Sequence, residues 1–317
     1  MKIWIDIVTP ADVSLFNQII KDNPQHDYII TARVGDGYCE LVELLDYYNI
    51  KYFTIGRFGK DRFDKLIAHA DRIKDLAYFI TDYKIDLAIN LINADQTRVA
   101  FGLGIPVYTI NDMPYINNEL TPQTKLTYSL ANKFITPFYS KFDTPYKFNF
   151  LLQQLWLVDD KDIPKFEDKE NIIVFRDEEY NSSYYNFSNN NTDYFREIYN
   201  TFKDEFTYYY IPRYKDKTYD FAITIDKAQD IKPLLKKAKY VIGGGGTINI
   251  EALYYNCSVI SFRRFKTEYD ILLQSSIYYT RDAKKMIDII ANNKKKDNIL
   301  HNIKVDKQEL YKLLDLA

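Results

Sequence analysis

The sequence alternates short apolar runs with amphipathic stretches of helical length, and this alternation limits the possible folds more than any other feature. Strand-like runs are predicted at residues 2–7, 28–31, 51–55, 87–91, 107–111, 133–136, 171–175, 207–212, 221–224, 240–242 and 258–262. Helices are predicted between them, at residues 14–22, 38–48, 61–83, 95–102, 193–203, 231–237, 247–255 and 282–292. Alternation of this kind is typical of parallel βαβ units. The sequence therefore predicts an α/β protein with two Rossmann-like, doubly wound parallel sheets.

The periodicity breaks down between residues 138 and 170, where aromatic and charged residues surround Pro145 and Pro164. Such a composition is expected of a connection between domains. The 317 residues also exceed what one hydrophobic core usually organises. We therefore predict two domains, residues 1–160 and 161–317, with a last helix that can pack back on the first domain. Their sheets are expected to face a cleft, because ligands of open α/β sheets bind at the carboxyl edges of the strands.

Charge and composition narrow the range of partners. The formal net charge is −2, so the chain has no global attraction to nucleic acid or to an anionic membrane. Cys39 and Cys257 lie far apart and offer neither a disulfide framework nor zinc spacing. The first residues enter a strand pattern without an apolar leader, so we expect a cytoplasmic protein. No window of about 18 apolar residues predicts a spanning helix, although a peripheral membrane contact stays compatible with the sequence.

The strongest local signal is the run Gly243, Gly244, Gly245 and Gly246, followed by Thr247. Inside a strand or helix each glycine would cost about 0.5–1 kcal/mol relative to alanine, so the run predicts a turn between a strand and a helix. Without Cβ atoms the turn lets a ligand approach the backbone, and its amides and the helix terminus can face an anion. We therefore predict a diphosphate site here, with Thr247 as the helix cap. A tight turn without a ligand is the alternative.

Other glycine-rich loops fit this segment less well. No Lys-Ser or Lys-Thr follows as in a Walker P-loop, and no GxGxxG run opens the chain as at a nicotinamide site. Glu251 lies one helical turn beyond Thr247. Its carboxylate can accept hydrogen bonds from ribose hydroxyls, or it can be a partner of the helix dipole. The residues alone leave both roles open.

Eight segments extend over almost the whole chain in a characteristic order. They are IWIDIVTP (3–10), TAR (31–33), RVAFGLGIP (98–106), IND (110–112), FITP (134–137), VFRDEEYNSSYY (174–185), IPRY (211–214) and GGGGTINIEALYYNCSVIS (243–261). In these segments the sequence resembles an archaeal domain-of-unknown-function family of predicted glycosyltransferases related to GT-B enzymes. The resemblance implies a GT-B fold, with an acceptor-side first domain and a second domain that binds a nucleotide sugar.

Wider relatives of that family include the peptidoglycan lipid-intermediate N-acetylglucosaminyltransferase and UDP-N-acetylglucosamine 2-epimerase. In these enzymes the glycine-rich turn binds the donor diphosphate and a glutamate early in the next helix holds the ribose, which implies the ribose role for Glu251. The sequence also departs from the family. Asp12 and Tyr115 stand where the family usually has histidines, and Ile248 and Ile250 stand where it has methionine and arginine.

Three carboxylates are candidates for the catalytic base that removes the acceptor proton. Asp12 lies in the loop after the first predicted strand, Asp6 lies in that strand, and Asp112 follows a later one. Asp12 has a second interpretation as the N-cap of the following helix. Arg176 and Arg213 each end a predicted strand of the second domain. They are predicted to bind the diphosphate, with pairing to neighbouring acids as the alternative.

Asp160 and Asp162 form an Asp-x-Asp pair, but they lie in the charged connection and are interpreted as a solvated run. We therefore predict no metal site and no cofactor beyond the donor. The leaving diphosphate would then be stabilised by the helix terminus and the arginines. No Glu-x7-Glu pair of the common retaining type occurs, which favours inversion.

Three functions remain open. We predict an enzyme, a metal-independent inverting glycosyltransferase that moves a sugar from a UDP-linked donor to the hydroxyl of an acceptor such as a glycan or a lipid-linked sugar. A 2-epimerase-like reaction is the enzymatic alternative, since RRFKTEYD (263–270) is similar to the epimerase loop after the equivalent strand. A non-catalytic nucleotide-sugar-binding protein is the alternative of another class, favoured by the two missing histidines. In each case the partner is a small-molecule nucleotide sugar and not a nucleic acid.

Overall fold

The structure, a computed structural model, describes residues 1–35, 39–180, 182, 185, 193–214 and 217–317. The chain divides into two compact units, Met1–Trp156 together with Val305–Ala317, and Leu157–Lys304. The last segment belongs to the first unit. It is held there by hydrogen bonds such as those from the Tyr311 hydroxyl to Asp22 (2.5 Å) and from Lys133 Nζ to Asp315 (2.8 Å).

The strands of the described residues are short and follow the apolar runs. They are β1 (Lys2–Ile7), β2 (Asp27–Val34), β3 (Phe53–Arg57), β4 (Leu87–Leu91), β5 (Val107–Ile110), β6 (Tyr115–Ile116), β7 (Glu119–Leu120), β8 (Lys133–Pro137), β9 (Lys147–Phe148), β10 (Glu170–Arg176), β11 (Thr207–Ile211), β12 (Ile223–Thr224), β13 (Ala238–Gly243), β14 (Ser258–Ser261) and β15 (Tyr278–Tyr279).

Helices connect most of these strands. They are α1 (Pro10–Asp22), α2 (Cys39–Tyr47), α3 (Arg62–Thr81), α4 (Ala94–Gly102), α5 (Pro122–Thr127), α6 (Tyr194–Phe202), α7 (Lys232–Lys237), α8 (Gly246–Tyr254), α9 (Glu268–Leu272), α10 (Ala283–Ala291) and α11 (Lys307–Leu313). None of them, within the described ranges, is both long enough and apolar enough to cross a membrane.

The first unit contains a seven-stranded sheet of order β3-β2-β1-β4-β5-β8-β9, and its strands pair in parallel. All five residues of β4 and five of the six in β1 are buried, as expected of central strands covered on both faces. The chain leaves β1 in one direction and β4 in the other, so the strand order reverses between them. This reversal is the topological switch point of a doubly wound sheet, the usual ligand position in such folds.

The second unit repeats the plan with a six-stranded parallel sheet of order β12-β11-β10-β13-β14-β15. Its switch point lies between β10 and β13, where Arg176 pairs with Gly243. Aromatic side chains dominate its core: Phe175 stacks on Phe195 and on Tyr208, with ring centroids 4.4 and 5.8 Å apart. The predicted fold class, an α/β protein with two doubly wound parallel sheets, is confirmed.

Several short elements were not predicted from the sequence. The antiparallel hairpin β6–β7, the two-residue strands β9 and β15, and the short helices α5 and α9 have too few residues for a periodic signal, and the last helix, α11, was predicted without bounds. One predicted helix start was wrong by a full turn, since α1 begins at Pro10 rather than Ser14. The other predicted helices begin within one residue of their observed starts, and α8 begins at Gly246 rather than Thr247.

Candidate functional site

The four glycines lie at the switch point of the second sheet. Gly243 ends β13, Gly244 and Gly245 form the turn, and Gly246 begins α8. The Gly244 amide donates to the carbonyl of Arg176 (3.1 Å) at the end of β10, which joins the two strands that flank the reversal. The turn therefore stands where an open α/β sheet most often binds a ligand.

Neighbouring protein groups explain three of the four glycines. A Cβ on Gly243 would lie 2.6 Å from Oδ1 of Asn249, and one on Gly244 would lie 2.6 Å from Cα of Glu178. A Cβ on Gly246 would overlap the hydroxyl of Tyr269. These glycines are required by close packing within the protein, whereas the sequence analysis explained them by approach of a ligand. At Gly245 the contact is less severe, since a Cβ would lie 3.3 Å from Cγ2 of Ile248, which would have to shift by a few tenths of an ångström.

The start of α8 presents amides without protein acceptors. Gly245 is the N-cap, with extended backbone at φ −93° and ψ 139°, and it has no side chain to cap the helix. Within the described ranges, no protein acceptor hydrogen-bonds the amides of Gly245, Gly246 or Thr247. All three residues are partly exposed. Because a nine-residue helix concentrates about half a positive charge at its start, this terminus is suited to an anion.

Thr247 does not cap this helix. Thr247 was predicted to be the cap, but it is the second residue of α8 and lies inside the first turn. The residue in the N-cap position is Gly245. Because the N-cap residue is a glycine, no side-chain oxygen accepts the first amides of the helix. An external anion therefore has no side chain to compete with at this position.

The two predicted arginines have different positions. The stem of Arg176 lies beside the turn, since a Cβ on Gly245 would be 3.9 Å from its Cγ, and Nη1 donates to the carbonyl of Pro212 at 2.6 Å. Arg213 forms an ion pair with Glu179, and its side chain is only 10% exposed. Arg176 therefore lies next to the glycine turn. The Arg213 guanidinium is instead paired with Glu179, three residues after the end of β10.

Arg263 and Tyr269 were not predicted from the sequence to be neighbours of the turn. The Tyr269 hydroxyl covers Gly246, and Arg263 Nη1 donates to that hydroxyl at 2.9 Å and to Asp270 at 3.1 and 3.2 Å. Both residues belong to the segment 263–270, whose similarity to the epimerase loop was the one sequence feature that could have indicated their position near the turn. The side chains of Arg263 and Asp270 are each 4% exposed, so this ion pair is part of the interior beneath the helix start.

Glu251 lies on α8 one turn beyond Thr247 and is 8% exposed. Its backbone carbonyl accepts the amide of Tyr255 at 3.2 Å, which continues the helix. The ribose role that the resemblance implies stays a prediction. Asn249, on the same helix, donates from Nδ2 to the carbonyl of Gly243 at 3.3 Å and so ties the helix to the end of β13.

Asp6 belongs to a buried polar network in the first unit. Its carboxylate pairs with Arg72 (2.6 Å) and accepts from the Thr31 hydroxyl (2.6 Å) and from Nδ2 of Asn93 (2.6 Å). Arg72 also pairs with Asp95 at 3.0 Å. Burial opposes the charge of Arg72, but the two carboxylates outweigh it, so the pKa of the guanidinium lies above its ordinary value. Asp6 has no exposed surface, and its contacts are those of a structural ion pair.

Asp12 completes the capping box of α1. Its Oδ2 accepts the amides of Val8 (2.7 Å) and Thr9 (2.9 Å), and its Oδ1 accepts the Thr9 hydroxyl (2.8 Å). The N-cap is Thr9, so Asp12 is the third residue of the helix and not the cap. Burial raises the pKa of Asp12 from 3.8 to about 7, although these hydrogen bonds and Arg33 act against the rise. The carboxylate is 1% exposed.

The raised pKa of Asp12 predicts a pH-dependent effect of Asp12→Asn. Between about pH 4 and pH 7 the folded state binds more protons than the unfolded state, so the wild type loses stability as the pH rises through this range. Asparagine keeps the shape and does not titrate. The free energy of unfolding of Asp12→Asn relative to wild type should therefore increase with pH, by about 1.4 kcal/mol for each unit of pKa difference.

Urea unfolding followed at several pH values measures this difference. The matched control is Asp61→Asn, which changes the exposed N-cap of α3. The control removes one exposed carboxylate, so a pH dependence that both variants share is not specific to the buried Asp12. A difference between Asp12→Asn and wild type that stays constant from about pH 4 to pH 8 would contradict the raised pKa.

Asp112 follows β5 at the carboxyl edge of the first sheet. Its Oδ2 accepts from Nε2 of Gln153 at 3.0 Å, and its backbone carbonyl accepts the Tyr139 hydroxyl at 3.3 Å. Unlike Asp6 and Asp12, it is only half-buried. Among the three predicted candidates for the base, Asp112 is therefore the one that solvent reaches.

The remaining acidic pair is Asp160 and Asp162, which both contact Lys236. Asp160 accepts from Lys236 Nζ (2.9 Å) and from the Tyr255 hydroxyl (2.9 Å), so it is part of an ion-pair cluster rather than a solvated run. Across the described ranges no group of three or more His, Cys, Asp or Glu residues has a metal-binding arrangement.

An open pocket of about 430 Å³ lies between β11, β12 and α7, and none of the predicted site residues lines it.

One protein family matches nearly the whole length of the chain. The family described as "Protein of unknown function (DUF354)" matches residues 1–145 and 146–313. The chain belongs to this family. An uncharacterized protein of Methanocaldococcus jannaschii is 35% identical over 139 residues, which make up 43% of this chain and 39% of that relative. The match thus spans about two fifths of the relative's length.

Solved structures of two enzyme classes share the fold. UDP-GlcNAc 2-epimerase of Methanocaldococcus jannaschii, in complex with UDP-GlcNAc and UDP, aligns at 13% identity over 100% of both chains with a TM-score of 0.73. Spinosyn rhamnosyltransferase SpnG, complexed with spinosyn aglycone, aligns at 11% identity over 100% of this chain and 95% of its own, with a TM-score of 0.57. The predicted kinship in fold with GT-B glycosyltransferases and 2-epimerases is confirmed.

Proposed function

We propose that the protein is a glycosyltransferase that binds a UDP-linked sugar with its diphosphate on the first amides of α8. The observation that carries this proposal is the helix start itself, where the amides of Gly245, Gly246 and Thr247 meet no protein acceptor within the described ranges. They lie at the switch point of the second sheet. The shared fold supports the ligand class, because the epimerase of the same fold was crystallised with UDP-GlcNAc and UDP.

Electrostatics favour backbone amides over guanidinium groups as the main diphosphate contacts. Arg213 is paired with Glu179, and Arg263 with Asp270, so these cations are already balanced by acids. The N-terminal field of α8 has no such counter-charge at its cap, where Gly245 stands. A preorganised helix terminus stabilises charge that develops on a leaving diphosphate without reorganisation. Glu251 would then hold the ribose, as the resemblance implies.

For the chemical step we propose Asp112 as the catalytic base. The acceptor hydroxyl oxygen forms the new bond to C1 of the sugar while its proton passes to the Asp112 carboxylate. The bond from C1 to the diphosphate oxygen breaks, and UDP leaves with that electron pair. Asp6 and Asp12 suit this role less well, since each is buried and occupied by at least three hydrogen-bond donors.

Gly245→Asp provides a test that separates stability from binding. The backbone of Gly245 is extended, so an aspartate can cap the first amides of α8 once Ile248 shifts by a few tenths of an ångström. The cap contributes a few tenths of a kcal/mol relative to glycine and offsets that shift, so we expect the stability without ligand to stay within about 0.5 kcal/mol of wild type. The new carboxylate also competes with the diphosphate and repels it, so UDP affinity should fall at least about tenfold, or 1.4 kcal/mol.

Thermal unfolding with and without UDP and UDP-GlcNAc measures both effects. A ligand at 100 times its dissociation constant stabilises by about 2.7 kcal/mol, so binding to wild type is readily detected. Gly102→Ala, at the end of α4 in the first unit, is the matched control and should keep the full ligand response. If Gly245→Asp responds to UDP as wild type does, the amides of α8 are not the diphosphate site. If no nucleotide stabilises the wild type, the donor class is wrong.

A 2-epimerase reaction is the second candidate, because the epimerase has a higher TM-score (0.73) than the rhamnosyltransferase (0.57). The epimerase-like segment also packs against the glycine turn through Tyr269. Incubation of UDP-GlcNAc in D₂O without an acceptor separates the two functions. Deuterium at C2 of the recovered donor would favour epimerisation, whereas release of free UDP without deuterium in the donor would favour transfer to water.

A further inference from the structure

Helix α3 of the first unit exposes an apolar surface at its amino-terminal end. Phe63 is 74% exposed, Leu66 is 66% exposed and Ile67 is 41% exposed. Their spacing of three and four residues places them on one face of the helix. The opposite face, with Leu76 and Ile80, is buried in the core. A surface helix normally has polar side chains on its solvent-facing side, and exposed apolar patches often mark interaction sites. The apolar residues on this face therefore indicate an interaction surface.

Basic side chains surround this apolar surface. Residues 57–67 contain four basic residues (Arg57, Lys60, Arg62 and Lys65) and two acidic ones (Asp61 and Asp64), a net charge of +2 in a chain of net charge −2. Asp64 is paired with Arg57, which leaves its charge balanced within the pair. Lys60 and Arg62 are exposed beside Phe63.

The carboxyl-terminal end of α3 also exposes a large side chain, but the charged residues around it are mainly acidic. Tyr78 is 76% exposed. Asp71, Asp75 and Asp82 lie on the same side of the helix as Tyr78, together with the basic residue Lys74, while Arg72 in the same stretch is buried. Apolar exposure and positive charge thus coincide only at the start of α3 within this helix. That coincidence is the signature of a surface that enters the interface of an anionic bilayer.

We propose that the amino-terminal end of α3 and the loop before it, residues 57–67, dock on an anionic lipid surface. Phe63 and Leu66 enter the headgroup region, and Lys60 and Arg62 contact the negative headgroups. A second copy of the chain is a poorer occupant. Two copies of this basic surface repel each other, and three apolar side chains fall short of the roughly 800 Å² per partner that stable dimers bury. The proposal is independent of donor binding, which belongs to the second unit.

Co-sedimentation of the full chain with vesicles tests the proposal. We expect the wild-type protein to appear in the pellet with vesicles that contain phosphatidylglycerol, and to stay in the supernatant with vesicles of phosphatidylcholine alone. Phe63→Gln combined with Leu66→Gln should reduce the bound fraction at least about tenfold by removing the inserted side chains. Lys60→Glu combined with Arg62→Glu should reduce it as strongly, since the charge contribution is comparable. Added salt should weaken wild-type binding.

Tyr78→Gln is the matched control, because it removes an equally exposed aromatic from the acidic end of the same helix. It should sediment like the wild type. Wild type that stays in solution with phosphatidylglycerol vesicles would overturn the proposal, as would equal losses for the Tyr78 and Phe63/Leu66 variants. A wild-type dimer that the Phe63/Leu66 variant turns into a monomer would instead assign this face to self-association. The stabilisation by UDP should be the same in all of these variants, which separates this proposal from the proposed function.

Discussion

Arg72→Met is expected to destabilise the first unit by about 3–5 kcal/mol, the usual effect of removing one partner from a buried ion pair. Arg72 is 1% exposed and pairs with both Asp6 and Asp95, at 2.6 and 3.0 Å. Its Nε also donates to the carbonyl of Ile55 at 3.0 Å. Methionine fills much of the same volume but leaves Asp6 without a counter-charge and Asp95 with His69 (2.6 Å) as its remaining basic partner. Lost charge compensation, rather than a cavity, would therefore dominate the effect.

Urea unfolding followed by tryptophan fluorescence reports on this unit, since both tryptophans, Trp4 and Trp156, belong to it. Lys74→Met on the same helix is the control, because Lys74 is 62% exposed and its contacts with Asp71 and Asp75 are at the surface. It should change stability by less than about 0.5 kcal/mol. Adding Asp6→Asn to Arg72→Met should recover part of the loss. A loss below about 1 kcal/mol for Arg72→Met would show that the network is not held by its charges.

The second large effect is expected from Asp112→Asn. If Asp112 removes the acceptor proton, the amide variant should lose about 10²–10⁴-fold in turnover, the typical contribution of a general base. Donor affinity should not change, because the proposed donor site lies on α8 in the second unit. Release of UDP from the donor, with the acceptor or with water in its place, measures the turnover. UDP-dependent thermal stabilisation measures the donor site separately.

Asp12→Asn is the matched comparison for this experiment. Asp12 is held by Val8 and Thr9 in the capping box, so its amide variant should keep turnover near the wild-type rate. Full activity of Asp112→Asn together with an inactive Asp12→Asn would reverse the assignment. Full activity of both variants would require a base outside the three candidates.

Strands with a strong burial pattern could be predicted to the residue. β1 and β4 were predicted with their observed ends, since a central parallel strand is largely apolar, and Asp6 and Asn90 are the polar residues inside these two strands near their carboxyl ends. Short elements gave no such signal. The two-residue strand β9 exists because Thr136 and Pro137 of β8 pair with Lys147 and Phe148, a contact that depends on tertiary structure.

The position of the glycine turn was predictable, but its contacts were not. A run of four glycines after a β-branched strand indicates a strand-to-helix turn whatever its neighbours are. The partners that cover Gly244 and Gly246, namely Glu178 and Tyr269, come from other parts of the chain. In the same way Asp6 is paired with Arg72, 66 residues away. Ion pairs of this kind arise from the packing of helices on the sheet, so local sequence patterns cannot predict them.

The most direct test of the central claim is a titration of the isotope-labelled protein with UDP, followed by the backbone amide resonances of Gly245, Gly246 and Thr247. The proposed site predicts that UDP shifts these three resonances in a saturable way, that uridine without phosphates does not, and that Gly245→Asp abolishes the shifts. UDP binding that leaves these amide resonances unchanged, or no binding of UDP at all, would contradict the assignment of a diphosphate site to the start of α8.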